Sequence, residues 1–289
     1  MSAVFGPAGN SESFSAQYKS SLKAPEWLRR MGLDAYEYQC GKGVNVGEET
    51  ARKMGEQAKV HGIRLSLHAP YFINLANPEP ESLVKTAGYI TRACEAADWM
   101  GASRVIIHSG ALMKRTRREA QEIALRSLKE ILRICDDAGY AHIHLCPETM
   151  GKINQLGDLD EVLELCTLDE RLIPCVDFGH LYARTLGELN GDEACERMLD
   201  RMKGILGEER ASHFHSHFSK IEFTLNGGEK KHLTFAQSDF GPDWTTLARA
   251  VAQRGWSPTF ICESAGTQAE DALTMKKTYW SFVKGDEAK

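Results

Sequence analysis

No apolar run in the 289-residue chain reaches the about eighteen residues that a membrane-spanning helix requires. Nor is there an excess of positive charge. Against 40 Asp+Glu stand 35 Lys+Arg, for a formal net charge of −5, which excludes binding through a globally basic surface but not through a local basic patch. No two of the eight cysteines have Cys-x-x-Cys spacing, and Cys146, Cys175 and Cys262 lie inside apolar runs, where a thiol behaves as a small buried hydrophobe. Disulfides are therefore not expected, and a reducing cytoplasm is the natural location. Residues Met1 to Asn10 lack the basic start and apolar core of a secretion signal. The Gly-x-Gly-x-x-Gly that marks a dinucleotide site does not follow the first strand candidate. Linkers, low-complexity tracts and breaks in composition are also missing. One domain over residues 1–289 is expected, a length that suits a barrel of eight βα units at ~250 residues.

What the chain has is a repeated ending. Short apolar runs close on metal-ligand side chains: Leu65-Ser66-Leu67 on His68, Val105-Ile106-Ile107 on His108, Leu145-Cys146-Pro147 on Glu148, Pro174-Cys175-Val176 on Asp177, and Phe260-Ile261-Cys262 on Glu263. Strands are expected around Ala3–Phe5, Ala35–Gln39, Arg64–His68, Arg104–His108, His142–Glu148, Ile173–Asp177, Ser212–Phe218 and Thr259–Glu263. Amphipathic segments Glu81–Met100, Arg117–Ala138, Asp243–Ala252 and Ala269–Val283 alternate with them at three-to-four spacing. Strands that alternate with helices pair in parallel. An open sheet brings together only the few strand ends at its switch point, whereas a closed barrel gathers all of them around one cavity. An α/β fold is expected, a single (β/α)8 TIM barrel with a metal site at the C-terminal ends of its strands.

The ligand types sharpen this. In Asp177-Phe178-Gly179-His180 the glycine permits a turn that returns a histidine over the cavity. His213, His215 and His217 alternate, so all three should face one side of a strand, and a ligand near its C-terminal end is His215 or His217. His232 follows in a loop. Nitrogen and carboxylate donors without thiolate suit catalytic Zn²⁺, Mn²⁺ or Fe²⁺ rather than a structural zinc. The candidates exceed what one metal needs, so two or three metals with a bridging carboxylate are expected, an arrangement suited to phosphoester hydrolysis. Lys114, Arg115, Arg117 and Arg118, with Lys230 and Lys231, are candidates for contacts to the phosphates of a polyanion.

Taken together, type, order and strand position resemble the endonuclease IV family, zinc-dependent apurinic/apyrimidinic endonucleases with a TIM-barrel fold. The resemblance runs from His68-Ala69-Pro70-Tyr71-Phe72-Ile73-Asn74-Leu75 to Glu263. It implies metal ligation by His68, His108, Glu148, Asp177, His180, His215, His232 and Glu263, with Glu148 bridging, and catalytic roles for Glu148 and Glu263. It also implies double-stranded DNA with abasic sites as the partner, cut 5′ to the lesion by zinc-bound hydroxide after the nucleotide is flipped out. Tyr71 and Phe72 stand at the family's DNA-contacting positions. Lys230 stands where the family has a third-metal aspartate: either Glu229 substitutes through a shifted loop, or that metal is weak or absent. After the second strand, Gln39-Cys40-Gly41-Lys42-Gly43 offers only Lys42 in place of the family's arginine. The resemblance implies no membrane and no protein partner. A second resemblance, to sugar isomerases and epimerases of the xylose isomerase-like barrels, implies one divalent metal held by Glu148, Asp177, His215 and Glu263, with the glutamates moving protons.

Overall fold

The apolar runs become short strands that are shielded on both faces. The computed structural model describes residues 2–286. Its strands are β1 Val4–Pro7, β2 Ala35–Gln39, β3 Arg64–His68, β4 Arg104–His108, β5 His144–Glu148, β6 Cys175–Asp177, β7 His215–Phe218, β8 Lys220–Thr224, β9 Gly228–Leu233 and β10 Thr259–Cys262. Eight of them form one parallel sheet in the order β1-β10-β7-β6-β5-β4-β3-β2, and the remaining two, β8 and β9, pair as an antiparallel hairpin. The eight-stranded sheet curls until β1 meets β2. A parallel bridge joins Ala8 to Glu37, and backbone bonds run from Gly9 N to Glu37 O and from Asp34 N to Phe5 O, each at 2.9 Å. The expected (β/α)8 barrel is the observed fold. Closure needs a residue without a side chain, because a Cβ on Gly6 would stand 2.0 Å from the Ala35 carbonyl oxygen.

Helices follow the strands and bury one face. In Pro80–Met100 the inward face is Ala87, Ile90, Ala93, Cys94, Ala97 and Met100. The helix Arg117–Asp137 begins at a capping box, with the Thr116 side chain bonded to the Glu119 backbone and Glu119 reaching back, so that two otherwise unpaired N–H groups are satisfied. Among the described residues, no helix is long and apolar enough to cross a membrane.

Differences from expectation lie at strand limits: β1 runs Val4–Pro7 rather than Ala3–Phe5, and β10 stops at Cys262, so that Glu263 follows it. β7 begins at His215 rather than Ser212, because the short helix Glu208–Ala211 runs up to it. β5 and β6 each begin two residues later than expected, at His144 and Cys175. The β8–β9 hairpin was not anticipated, although Asn226-Gly227 between two strand-like runs is a strong turn signal.

Candidate metal centre

The C-terminal ends of the barrel strands carry the centre. Glu148, last residue of β5 and 1% exposed, lies in its middle. Its Oε2 stands 3.2 Å from His68 Nε2 and 3.3 Å from His108 Nε2. Its Oε1 faces the other way, 2.9 Å from His217 Nδ1 and 3.5 Å from His180 Nδ1. The glutamate thus divides its two oxygens between two sets of histidines. Ligand atoms of Glu148, Asp177, His217 and Glu263 cluster closely enough for one ion, as do those of His68, Glu148 and His217, and those of His180, His232 and Glu263.

The seventh-strand histidine that gathers with Glu148, Asp177 and Glu263 is His217, where His215 was expected; His215 gathers instead with Cys175 and His217. Both face inward, but each residue of a strand advances the chain by about 3.3 Å. His215 therefore lies one layer deeper, where its Nε2 bonds Glu37 at 2.9 Å. His213 precedes the strand, and its Nδ1 bonds the Glu209 carbonyl at 3.0 Å, so it takes no part.

The third group is built by a bulge. In the hairpin Ile221 faces His232 and Glu222 faces Lys231, but Phe223 faces Glu229, so Lys230 is the extra residue. A bulge reverses the alternation of side chains beyond it. Lys230 consequently turns outward to pair with Glu222, while Glu229 Oε2 comes within 3.6 Å of His180 Nε2. Gly151 makes room: a Cβ there would fall 2.7 Å from the Glu229 Cβ and 2.9 Å from the His180 ring.

The donor set fits a cation. Asp177 Oδ2 is buried without a hydrogen-bond partner. His180 Nδ1 is 3.3 Å from it, but its proton is committed to the Thr149 carbonyl at 2.8 Å. An unpartnered carboxylate oxygen among other buried carboxylates is costly unless a positive charge compensates it. The histidines are also preset. His68 Nδ1 bonds the Ala69 carbonyl at 2.8 Å and His108 Nδ1 that of Tyr71 at 3.1 Å. With His180, each thus turns Nε2 toward the carboxylates of the cluster, the arrangement that orients ligating histidines.

Around the rim, Tyr71 is 60% and Phe72 42% exposed. Phe72 packs edge-on against Tyr89, with ring centroids 4.7 Å apart. Arg117 and Arg118 are engaged with carboxylates, Arg117 with Glu161 and Asp158 and Arg118 with Glu122 and Glu164. As partners of helix neighbours they are poor candidates for phosphate contacts.

A family model described as a xylose isomerase-like TIM barrel matches residues 25–279. The chain belongs to this family. A relative in Methanocaldococcus jannaschii, named an uncharacterized protein, is 33% identical over 276 residues, covering 94% of this chain and 96% of its own length. A probable endonuclease 4 from Acholeplasma laidlawii is 24% identical over 235 residues, covering 74% of this chain and 78% of its own. Among solved structures, endonuclease IV from Thermus thermophilus matches at TM-score 0.64 and 18% identity, covering 98% and 99% of the two chains. A D-tagatose 3-epimerase-like protein matches at 0.72 and 17%, again covering 98% and 99%. At such identities the structural likenesses establish the fold of this family member. The resemblance to endonuclease IV read from the sequence stands with these relatives.

Sequence reasoning missed Glu37 of β2, which is fully buried and bonded to both β7 histidines. A signal existed: a carboxylate between Tyr36 and Tyr38, in the middle of the strand.

The electrostatics follow from these contacts. Burial alone would raise the Glu148 carboxyl, but His217, His108 and His68 hold it well below the carboxylate range. Burial raises Glu263, opposed by His217 and His232. His215 is pushed down to about 4 by burial, against the pull of Glu37. Burial lowers His68 and His180, yet neighbouring carboxylates outweigh it: Glu148 lifts His68 to about 9, and Asp177 with Glu229 lifts His180 to about 9. Without a bound metal both rings therefore hold protons at neutral pH. Their contribution to stability is full below the ordinary 6.5 and is lost as pH rises through about 9. Metal must displace those protons, so affinity for a divalent metal is expected to climb over the same interval. Calorimetric titration in buffers of different ionisation enthalpy should show proton release at neutral pH. An affinity flat across that interval would contradict it.

Proposed function

We propose that the centre hydrolyses a phosphodiester, in double-stranded DNA at an abasic site, using two or three zinc ions, with Mn²⁺ as a substitute. The observation that carries this reading is the division of Glu148 between His68 and His108 on one side and His217 on the other. One metal needs no such arrangement, whereas a bridged pair does. His68, His108 and Glu148 would hold one ion, Glu148, Asp177, His217 and Glu263 a second, and His180, His232 and Glu229 a third. Bound metals supply a water of lowered pKa and positive charge against the phosphate oxygens.

The chain's own residues do the rest. Glu148 and Glu263 are the catalytic carboxylates. Glu148 spaces the ligand groups, and Glu263, the more exposed of the two, takes up the proton of the attacking water. Tyr71 and Phe72 stack against the bases beside the lesion. Lys230 contacts backbone phosphate only by leaving Glu222. A cytoplasmic location belongs to the same proposal, in keeping with eight free, buried cysteines. The relatives named endonuclease 4 support the reading.

A duplex with a single abasic site tests it. Zinc-loaded protein is expected to nick it on the 5′ side, and chelation should abolish nicking. Intact duplex after incubation with a chain carrying two or more metals would refute it. The sugar-epimerase reading draws on the Glu148, Asp177, His217 and Glu263 group, which suffices for one ion. A single Mn²⁺ per chain would favour it.

A further inference from the structure

We propose that Glu37 is a positioning residue that decides which ring nitrogen of His217 faces the centre, an inference that rests on reading the centre as a metal site. Glu37 is fully buried in the wall of the barrel, one layer below the ligand cluster. Its Oε1 lies 2.9 Å from His217 Nε2 and accepts from Gln39 Nε2 at 3.1 Å. Its Oε2 lies 2.9 Å from His215 Nε2 and accepts the Ser66 hydroxyl at 2.8 Å. An ionised carboxylate has about four acceptor sites and no donor. All of them are engaged, so both imidazoles must carry their proton on Nε2. In a neutral ring that leaves Nδ1 as a bare lone pair. On His217, Nδ1 faces Glu148 Oε1 at 2.9 Å and Glu263 Oε1 at 3.6 Å; a carboxylate oxygen only accepts, so without metal Nδ1 donates a proton there, and a bound metal would take that proton's place on the Nδ1 lone pair.

The other histidines of the centre are anchored the opposite way round. His68, His108 and His180 bond backbone carbonyls through Nδ1 and present Nε2, and the Nδ1 of His232 lies 2.8 Å from the Ser219 hydroxyl. His217 presents Nδ1, and its anchor is a carboxylate. An anionic partner fixes the ring and makes the ligating nitrogen more basic.

His215 closes the argument. Its Nδ1 faces Arg104 Nη1 at 3.5 Å, and a guanidinium only donates, so His215 is held with its proton on Nε2. In Glu37→Gln the side chain keeps one acceptor end. His215 claims that end, and the amide NH₂ is left against His217 Nε2–H. Either His217 adopts the other tautomer, losing the Nδ1 lone pair, or its ring turns away from the centre.

Long-range ¹H–¹⁵N spectra of histidine-labelled, zinc-loaded wild-type protein read the arrangement directly. His217 is expected to be coordinated through Nδ1 and protonated at Nε2, with His68 and His108 the reverse. Ligation by His217 Nε2 overturns the inference while leaving the metal reading intact. In Glu37→Gln, zinc affinity measured by chelator competition should fall by about ten- to a hundredfold, with the His68 and His108 signals in place. Unchanged affinity in folded Glu37→Gln protein overturns the inference as well. Should that variant fail to fold, the wild-type spectrum decides alone. A wild-type chain that binds no zinc refutes the metal reading itself, and this inference with it.

Discussion

Exchanging Glu148 for glutamine is expected to empty the centre. The change is isosteric, so it isolates charge from shape. Glutamine keeps one acceptor and turns the other end into a donor. If the oxygen stays toward His217, the amide NH₂ confronts His68 and His108, whose Nε2 atoms now stand 3.2 and 3.3 Å from a carboxylate oxygen. If it flips, His217 at 2.9 Å loses its partner instead. Neither orientation serves both sets, and the anion shared between them is gone. Removing one member of a buried charge pair costs on the order of 3–5 kcal/mol, roughly a hundredfold to several-thousandfold in affinity. On the proposed function, elemental analysis after dialysis should find the variant depleted of at least two ions relative to wild type, with nicking lost in proportion. Full metal content in Glu148→Gln would show that its two-sided contacts are incidental.

The largest effect on stability is expected far from any ligand, at Gly6. A Cβ there would sit 2.0 Å from the Ala35 oxygen and 2.3 Å from its carbon, backbone atoms that cannot rotate aside. Gly6→Ala must push β1 away from β2 at the seam where the barrel closes. Overpacking against backbone costs about 3 kcal/mol or more, on the order of 10 °C in melting temperature for a chain of this size. The damage should spread to the centre, because Glu37 lies two residues beyond Ala35 and bridges Ala8 across the same seam. Gly88→Ala is the control: helical, at ordinary φ, with nothing within 4 Å of the added carbon. It should be neutral or slightly stabilising, by about 0.4–1 kcal/mol. Melting curves of the two variants that coincide would remove the seam as an explanation of closure.

The barrel was legible because its evidence is repeated. Each of β3 to β6 ends on a residue that apolar runs do not carry without reason, and parallel pairing follows from the helices between them. His68, His108, Glu148 and Asp177 were accessible in the same way, as terminal residues of strands, and Glu263 as the residue that follows β10. The errors arose where depth or parity mattered. The residues alone left His215 and His217 open and the resemblance selected His215; choosing between them requires knowing their depth in β7, which spans His215–Phe218. Glu37 was overlooked because it lies within its strand rather than at the end, so its partners, His215 and His217, come from a strand distant in the chain. At Lys230 the sequence left two outcomes open, and the bulge, which brings Glu229 to His180, corresponds to the shifted loop.

That bulge bears on how relatives should be compared. By position in the sequence, the chain has Lys230 where the resemblance to endonuclease IV implies a carboxylate. In space the carboxylate is there, carried one position earlier and delivered by a single unpaired residue. Members of the family that differ at this hairpin are better sorted by the parity of their strands than by the letter in the column.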